Sequence, residues 1–212
     1  LGIGVATLEI SHFTLLVLCA FGLGACPFSL WIGRWLLGKD IRNYGDGNPG
    51  AANVFKAGGR KSGFLAVFLD VAKGVPFVFL AHSFFELPEA AVLGIAFSAI
   101  LGHAFSPILQ LKGGKAVAVT FGAILALPQH DMLFALAGAT FLGFLLIAVD
   151  AWVVILGAAA STTYVLVTRG ASAETFFMLG VLALLVLKFF EELKTVPRFK
   201  LKPIAWLQSR GQ

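Results

Sequence analysis

Long apolar runs separated by short polar islands make up most of the chain. The runs at 13–37, 64–81, 90–111, 132–149, 151–168 and 175–190 lack strict alternation and approach the ~20 residues that carry a helix across a bilayer. A seventh run, 116–127, has only twelve residues and needs tilt or a thinned bilayer to cross. This pattern predicts an all-α integral membrane protein, a bundle of about seven transmembrane helices in a single domain. A membrane β-barrel requires shorter, alternating segments, which are not found. Gly22, Gly24 and Pro27 interrupt the first run and predict a kink or close helix packing there. Asp70 and Lys73 fall inside the second run at i, i+3 spacing, which predicts either a self-satisfied ion pair or a functional pair.

Two polar islands break the pattern most sharply. The first, 40–63, carries Arg42, Lys56, Arg60 and Lys61 beside six glycines, so cations and freely turning backbone N–H groups share one loop. That mixture suits a phosphate, although a glycine-rich turn flanked by topology charges is the plainer alternative. The second, Lys112-Gly-Gly-Lys115, repeats the chemistry in miniature, and basic anchoring at a membrane surface is its plainer alternative.

Charge sets the expected topology. Of 16 Lys and Arg, Arg169 alone falls in a connector expected outside and Lys73 lies within a run. The remainder gather with both islands and the tail on one side, which the positive-inside rule makes cytoplasmic. The N-terminus is then external, and a basic cytoplasmic tail occupies about 191–212. The expected location is the inner (cytoplasmic) membrane, crossed several times.

Composition agrees: the chain is 58% hydrophobic and 13% charged, with a mean hydropathy of +0.91. So little polar surface excludes a soluble domain of this size. The net charge of +5 follows from the islands and tail rather than from a nucleic-acid-binding face, so no nucleic-acid partner is expected. Cys19 and Cys26, without histidine partners nearby, are expected to pack rather than bind metal. The first run lacks a basic n-region, so no signal peptide is expected. No internal repeat or matched pair of broken helices points to a transporter.

Candidate chemistry concentrates in the islands. Lys56, Lys112 and Lys115 supply charge, and Gly45, Gly47 and Gly50 allow close backbone approach. A nucleotide P-loop is absent, and no Ser-His-Asp constellation is visible. Asp46 can act as a base toward a hydroxyl or close an Asx-turn. His103 can be a base or an anchor for the second loop. His12, His82 and His130 join no constellation.

Gly45-Asp-Gly-Asn-Pro-Gly-Ala-Ala-Asn53, Phe68-Leu-Asp-Val-Ala-Lys-Gly74, and Leu101-Gly-His-Ala-Phe-Ser-Pro107 with Lys112-Gly-Gly-Lys-Ala-Val-Ala118 resemble the bacterial membrane acyl-phosphate:glycerol-3-phosphate acyltransferases. The resemblance covers about the first 120 residues, and the later runs match only in hydropathy. It implies transfer of an acyl chain from acyl phosphate to the 1-hydroxyl of glycerol 3-phosphate, giving lysophosphatidic acid, with no metal or nucleotide cofactor. It implies substrate contacts from Gly45, Gly47, Asn48, Gly50, Asn53, His103, Lys112, Gly113, Gly114 and Lys115. It implies catalytic roles for Asp46, Lys56 and Glu191, and an acyl groove among the spans facing membrane lipids. Oligomeric state is not implied.

Several positions depart from the family pattern. Asp46 stands where the family has serine, Lys56 where it has arginine, and Ala116 where its second loop ends in glycine. Ala148-Val-Asp-Ala-Trp152 replaces an Arg-Tyr-x-Ser turn, and the family's C-terminal His and Asn fall on Phe189 and Glu192. These changes leave an alternative expectation: a catalytically silent membrane protein that binds phospho-ligands or anionic headgroups and regulates or scaffolds lipid synthesis.

Overall fold

The computed structural model describes residues 2–197, with side chains described from residue 10 onward. Helices α1 (Gly2–Ala25), α2 (Phe28–Leu37), α3 (Ala51–Lys56), α4 (Arg60–Ala72), α5 (Pro76–Ser83), α6 (Glu89–Ala104), α7 (Val117–Leu125), α8 (His130–Leu146), α9 (Asp150–Arg169), α10 (Ala173–Lys188) and α11 (Phe190–Leu193) follow one another, with no strand among the described residues. Four helical stretches are long and apolar enough to cross a membrane: Ile10–Leu37, Arg60–Ser83, Glu89–Leu109 and Asp150–Arg169. His130–Leu146 is a shorter apolar helix. Large apolar side chains such as Phe64, Phe68, Phe134, Phe141 and Phe176 face outward, as lipid contact requires. The chain is a multi-pass integral membrane protein.

Prolines set two of the breaks. Pro27 has no N–H to donate, so α1 ends at Ala25 and a new helix begins with Trp31 N–H donating to the Pro27 carbonyl at 3.1 Å. Pro76 occupies the first turn of α5, where its missing N–H is tolerated, and separates α5 from α4. The first polar island is less of a loop than its composition predicts. Ala51-Ala52 and the residues after them close the short helix α3, and α4 already starts at Arg60 within the island. The twelve-residue run at 116–127 yields only nine helical residues in α7.

The chain divides into two compact units, one ending at His130 and the other beginning at Asp131. In the first, α1 and α6 pack backbone to backbone. A side chain on Gly24 would run into the Ala99 carbonyl, and one on Gly102 into the Phe21 carbonyl, which explains two small residues at the contact. Ser98 and Ser106 donate across to the carbonyls of Val17 (2.7 Å) and Ala25 (2.6 Å). Gly122 of α7 lies equally close to the Val71 carbonyl of α4. Leu30, Ile32, Ile41, Val54, Ala57 and Ala66 form the apolar core under the first loop.

In the second unit, Arg169 binds both Asp131 oxygens and Glu174 Oε1, each at 2.8 Å. The cation expected in an external connector is thereby paired. Ser172 caps α10 by accepting from the Thr175 N–H at 3.3 Å, and Gly157 admits the Thr140 side chain against α9. The expected basic tail lies, beyond residue 197, outside the described residues.

Candidate functional site

The loop between α2 and α3 is anchored by its own acidic residues. Asp40 caps the 3₁₀ turn Ile41–Asn43 by accepting from the Arg42 N–H at 3.0 Å. It also holds the Arg42 guanidinium through Nε (2.9 Å) and Nη2 (2.6 Å), and Arg34 Nη2 at 3.0 Å. The Arg42 contact, outweighing burial and helped by Arg34, holds the Asp40 carboxyl well below the usual carboxylate range.

Gly45 and Gly47 take φ values of +60° and +74°, a left-handed backbone that turns the chain tightly around Asp46. Asp46 Oδ1 accepts from the Asn48 N–H (3.1 Å) and from Asn53 Nδ2 (2.8 Å), and Oδ2 accepts from Lys115 Nζ (2.5 Å). Asn53, buried on α3, donates also to the Asn48 carbonyl at 2.8 Å, so it ties the loop to the helix behind it. Lys56 lies across the same loop, because a Cβ added at Gly45 would come within 2.7 Å of its Nζ. Burial alone would raise the Asp46 pKa. Lys115, the Asn48 N–H and Asn53 more than reverse this and bring it down to about 2.

The second loop is strained and propped from below. Gln110, Leu111 and Ala116 all have φ between +53° and +63°, uncommon for residues with a Cβ and found where a structure holds functional geometry. The Gly114 N–H donates to the His103 carbonyl at 3.0 Å, and any side chain on Gly113 or Gly114 would strike His103. His103 is buried, with Nδ1 3.9 Å from Asp70 Oδ1. Asp70 in turn pairs with Lys73 at 2.8 Å and accepts from Ser29 Oγ at 2.5 Å, and Lys73 donates to the Cys26 carbonyl at 2.8 Å. The Asp70–Lys73 pair is therefore a buried support under the second loop.

Gly45, Asp46, Gly47, Asn48, Asn53, Lys56 and Lys115 thus meet in one cradle. Gly50 caps the start of α3 beside the Asn48 side chain, and Gly113 and Gly114 of the second loop rest on His103. Lys112 faces elsewhere, into a cavity of about 450 Å³ that it lines with Arg34, Arg42 and Gly47. Glu191 belongs to the second unit, exposed and paired with Lys194 at 2.7 Å. Arg34 and Asp40 carry site structure that composition did not single out; Asp40 two residues before a cation, just after a helix-ending glycine, was the available signal. Among the described residues, no three of His, Cys, Asp and Glu gather as metal ligands.

A family model of glycerol-3-phosphate acyltransferases matches residues 14–198. The chain belongs to the glycerol-3-phosphate acyltransferase family. A family member from Desulforamulus reducens is 37% identical over 126 residues, covering 58% of this chain and 62% of that protein. One from Macrococcus caseolyticus is 41% identical over 116 residues, covering 54% and 58%. The chain therefore spans about three-fifths of the length of these relatives in alignment. Among solved structures, it is similar to PlsY (YgiH), an integral membrane glycerol 3-phosphate acyltransferase, in its glycerol 3-phosphate form. That likeness has a TM-score of 0.79 at 27% identity and covers 86% of this chain and 90% of the other. The lysophosphatidic acid form of the same protein gives a TM-score of 0.77 at 26% identity with the same coverage. The glycine-flanked first loop and the Lys112–Lys115 loop fall within the matched residues.

Proposed function

We propose that this protein transfers an acyl chain from acyl phosphate to the 1-hydroxyl of glycerol 3-phosphate, forming lysophosphatidic acid for phospholipid synthesis. The observation that carries this reading is the convergence of the Lys115 ammonium, the Asn48 N–H and the Asn53 amide on one anion, with Lys56 alongside. In the present structure that anion is the Asp46 carboxylate. A phosphate oxygen of the acceptor offers the same donors an equivalent partner.

The 1-hydroxyl oxygen attacks the acyl carbonyl, the carbonyl carbon–phosphate oxygen bond breaks, and the departing phosphate carries away the hydroxyl proton. Asp46, with a pKa of about 2, is a weak base at neutral pH. We therefore assign it to positioning and to competition for Lys115 rather than to proton abstraction. His103 positions the second loop through its carbonyl. We keep Glu191 as a candidate acidic group by its position in the family pattern alone.

We place the seven apolar segments as seven crossings of the inner membrane, N-terminus outside, with both loops on the cytoplasmic face. The Lys and Arg distribution supports this orientation. Membrane lipids then surround the outward-facing phenylalanines. A catalytically silent binder is the second reading, favoured by the carboxylate that occupies Lys115. Purified protein given acyl phosphate and glycerol 3-phosphate separates the two: lysophosphatidic acid with matching phosphate release supports transfer, and binding without product supports the silent reading.

A further inference from the structure

Asp70 and His103 face each other beneath the second loop without a direct hydrogen bond. His103 Nδ1 and Asp70 Oδ1 are 3.9 Å apart, which is too far for one. Asp70 is only 2% exposed, and its Oδ1, although 2.8 Å from the Lys73 ammonium, accepts no hydrogen bond among the described residues. A carboxylate oxygen in that position costs free energy that one more donor would recover. A chamber of about 10 Å³ opens here, lined by Asp70, Lys73, His103 and Ser106 together with Pro49 of the first loop and Gly114 of the second. It has room for one water and lies where both loops rest.

The polar groups around the chamber match the bonding needs of a water. Lys73 carries three N–H groups, of which one goes to the Cys26 carbonyl at 2.8 Å. Ser106 donates its proton to the Ala25 carbonyl at 2.6 Å, which leaves the lone pairs of its oxygen to accept. Asp70 Oδ1 is a second acceptor, and His103 Nδ1 is a second donor when it carries the ring proton. The Ala25 and Cys26 carbonyls flank the break between α1 and α2, so this cluster ties that break, α4 and α6 to one point. The imidazole continues upward to the loop, where a side chain on Gly114 would strike Nε2.

We propose that this chamber is a binding site for one ordered water, which accepts from Lys73 and His103 Nδ1 and donates to Asp70 Oδ1 and Ser106 Oγ. A bridging water of this kind is nearly as strong as a direct hydrogen bond. Through it Asp70 and Lys73 become positioning residues, because they fix the imidazole on which Gly113 and Gly114 rest. Resting on the transfer reading above, what they position is Lys115 at the end of that loop, and with it the acceptor phosphate.

The first test is a crystal structure of the unaltered full chain at a resolution that shows ordered water. One water is expected within about 3.2 Å of Asp70 Oδ1, His103 Nδ1 and Lys73 Nζ. A direct Asp70–His103 hydrogen bond, or a chamber without water, overturns the proposal whatever the turnover. The second test is kinetic and uses Asp70→Leu combined with Lys73→Met. Apolar side chains of similar size replace a buried pair at little cost to folding, yet here they remove two of the water's four partners. KM for glycerol 3-phosphate is expected to rise about ten-fold, while kcat and KM for acyl phosphate each stay within about two-fold. A merely structural pair would instead lower the active fraction, and so kcat, at unchanged KM, and that result overturns the positioning role. Wild-type protein that holds the water but forms no lysophosphatidic acid upholds the water site and rejects the transfer reading alone.

Discussion

The Asp46 carboxylate lies 2.5 Å from the Lys115 ammonium, so the loop after α2 supplies the counter-ion for the loop before α7. The contact crosses 69 positions of sequence and joins the two islands into one site. It also fills, with a side chain of the protein itself, the donors best suited to a phosphate. Any acceptor phosphate that uses Lys115 has to displace this carboxylate or meet its charge.

The pair makes the site sensitive to acid. Asp46 is depressed from 3.8 to about 2, so its contribution to stability is complete above the higher value and is lost as pH falls toward the lower one. Asp40 is depressed in the same sense by Arg42 and Arg34. Thermal melts in detergent should show apparent Tm falling between about pH 4 and pH 2, with a shallower fall in Asp46→Asn. Identical pH profiles for the two proteins would mean that the pair contributes no linkage.

Ala116 takes a left-handed conformation, φ +63° and ψ +8°, at the N-cap of α7. An alanine there is strained by its Cβ, so Ala116→Gly is expected to stabilise by about 0.5–1 kcal/mol after the extra chain entropy of glycine is counted. A Tm higher by a few degrees checks this. A lower Tm would show that the loop relaxes differently around glycine.

The buried Asp70–Lys73 pair supports the second loop through His103. Lys73→Met leaves Asp70 without its charge partner in an apolar interior and should destabilise by about 3–5 kcal/mol. Asp70→Asn combined with Lys73→Met should recover most of that loss. Melting curves of the two singles and the double close the cycle; additive losses would contradict a direct pair.

The contact of α1 with α6 leaves no room for a larger residue. Gly102→Ala would place its Cβ against the Phe21 carbonyl, so it should cost about 1–3 kcal/mol and lower Tm. Gly138→Ala, where a Cβ meets nothing, serves as the control and should be neutral or slightly stabilising.

Apolar run lengths made the helical membrane architecture legible, and Pro27 and Asp70–Lys73 made its first kink and its buried pair legible. Helix α3 was not, because Asn, Gly and Lys around it favour turns locally, while Val54 and Phe55 gain their helical geometry from packing onto Ile41 and Gly63. The cradle residues were legible as phosphate chemistry. Their partner was not, since no spacing within the first island announces a lysine 69 positions away. Arg34 read as a topology charge because charge counting cannot tell a membrane-surface cation from one that lines a cavity. Ala116 read as a departure from the family pattern, yet its backbone keeps the conformation that glycine favours.

The most direct measurement is KM for glycerol 3-phosphate in the wild type, Lys115→Ala and Asp46→Asn, at saturating acyl phosphate. Lys115→Ala should raise KM about ten-fold or more. Asp46→Asn should lower it about three- to ten-fold while kcat stays within about three-fold, because the lysine loses its internal competitor and no protein base is removed. Equal KM in all three proteins, or loss of turnover in Asp46→Asn alone, would contradict the assignment of the Asp46–Lys115 cradle to the acceptor phosphate.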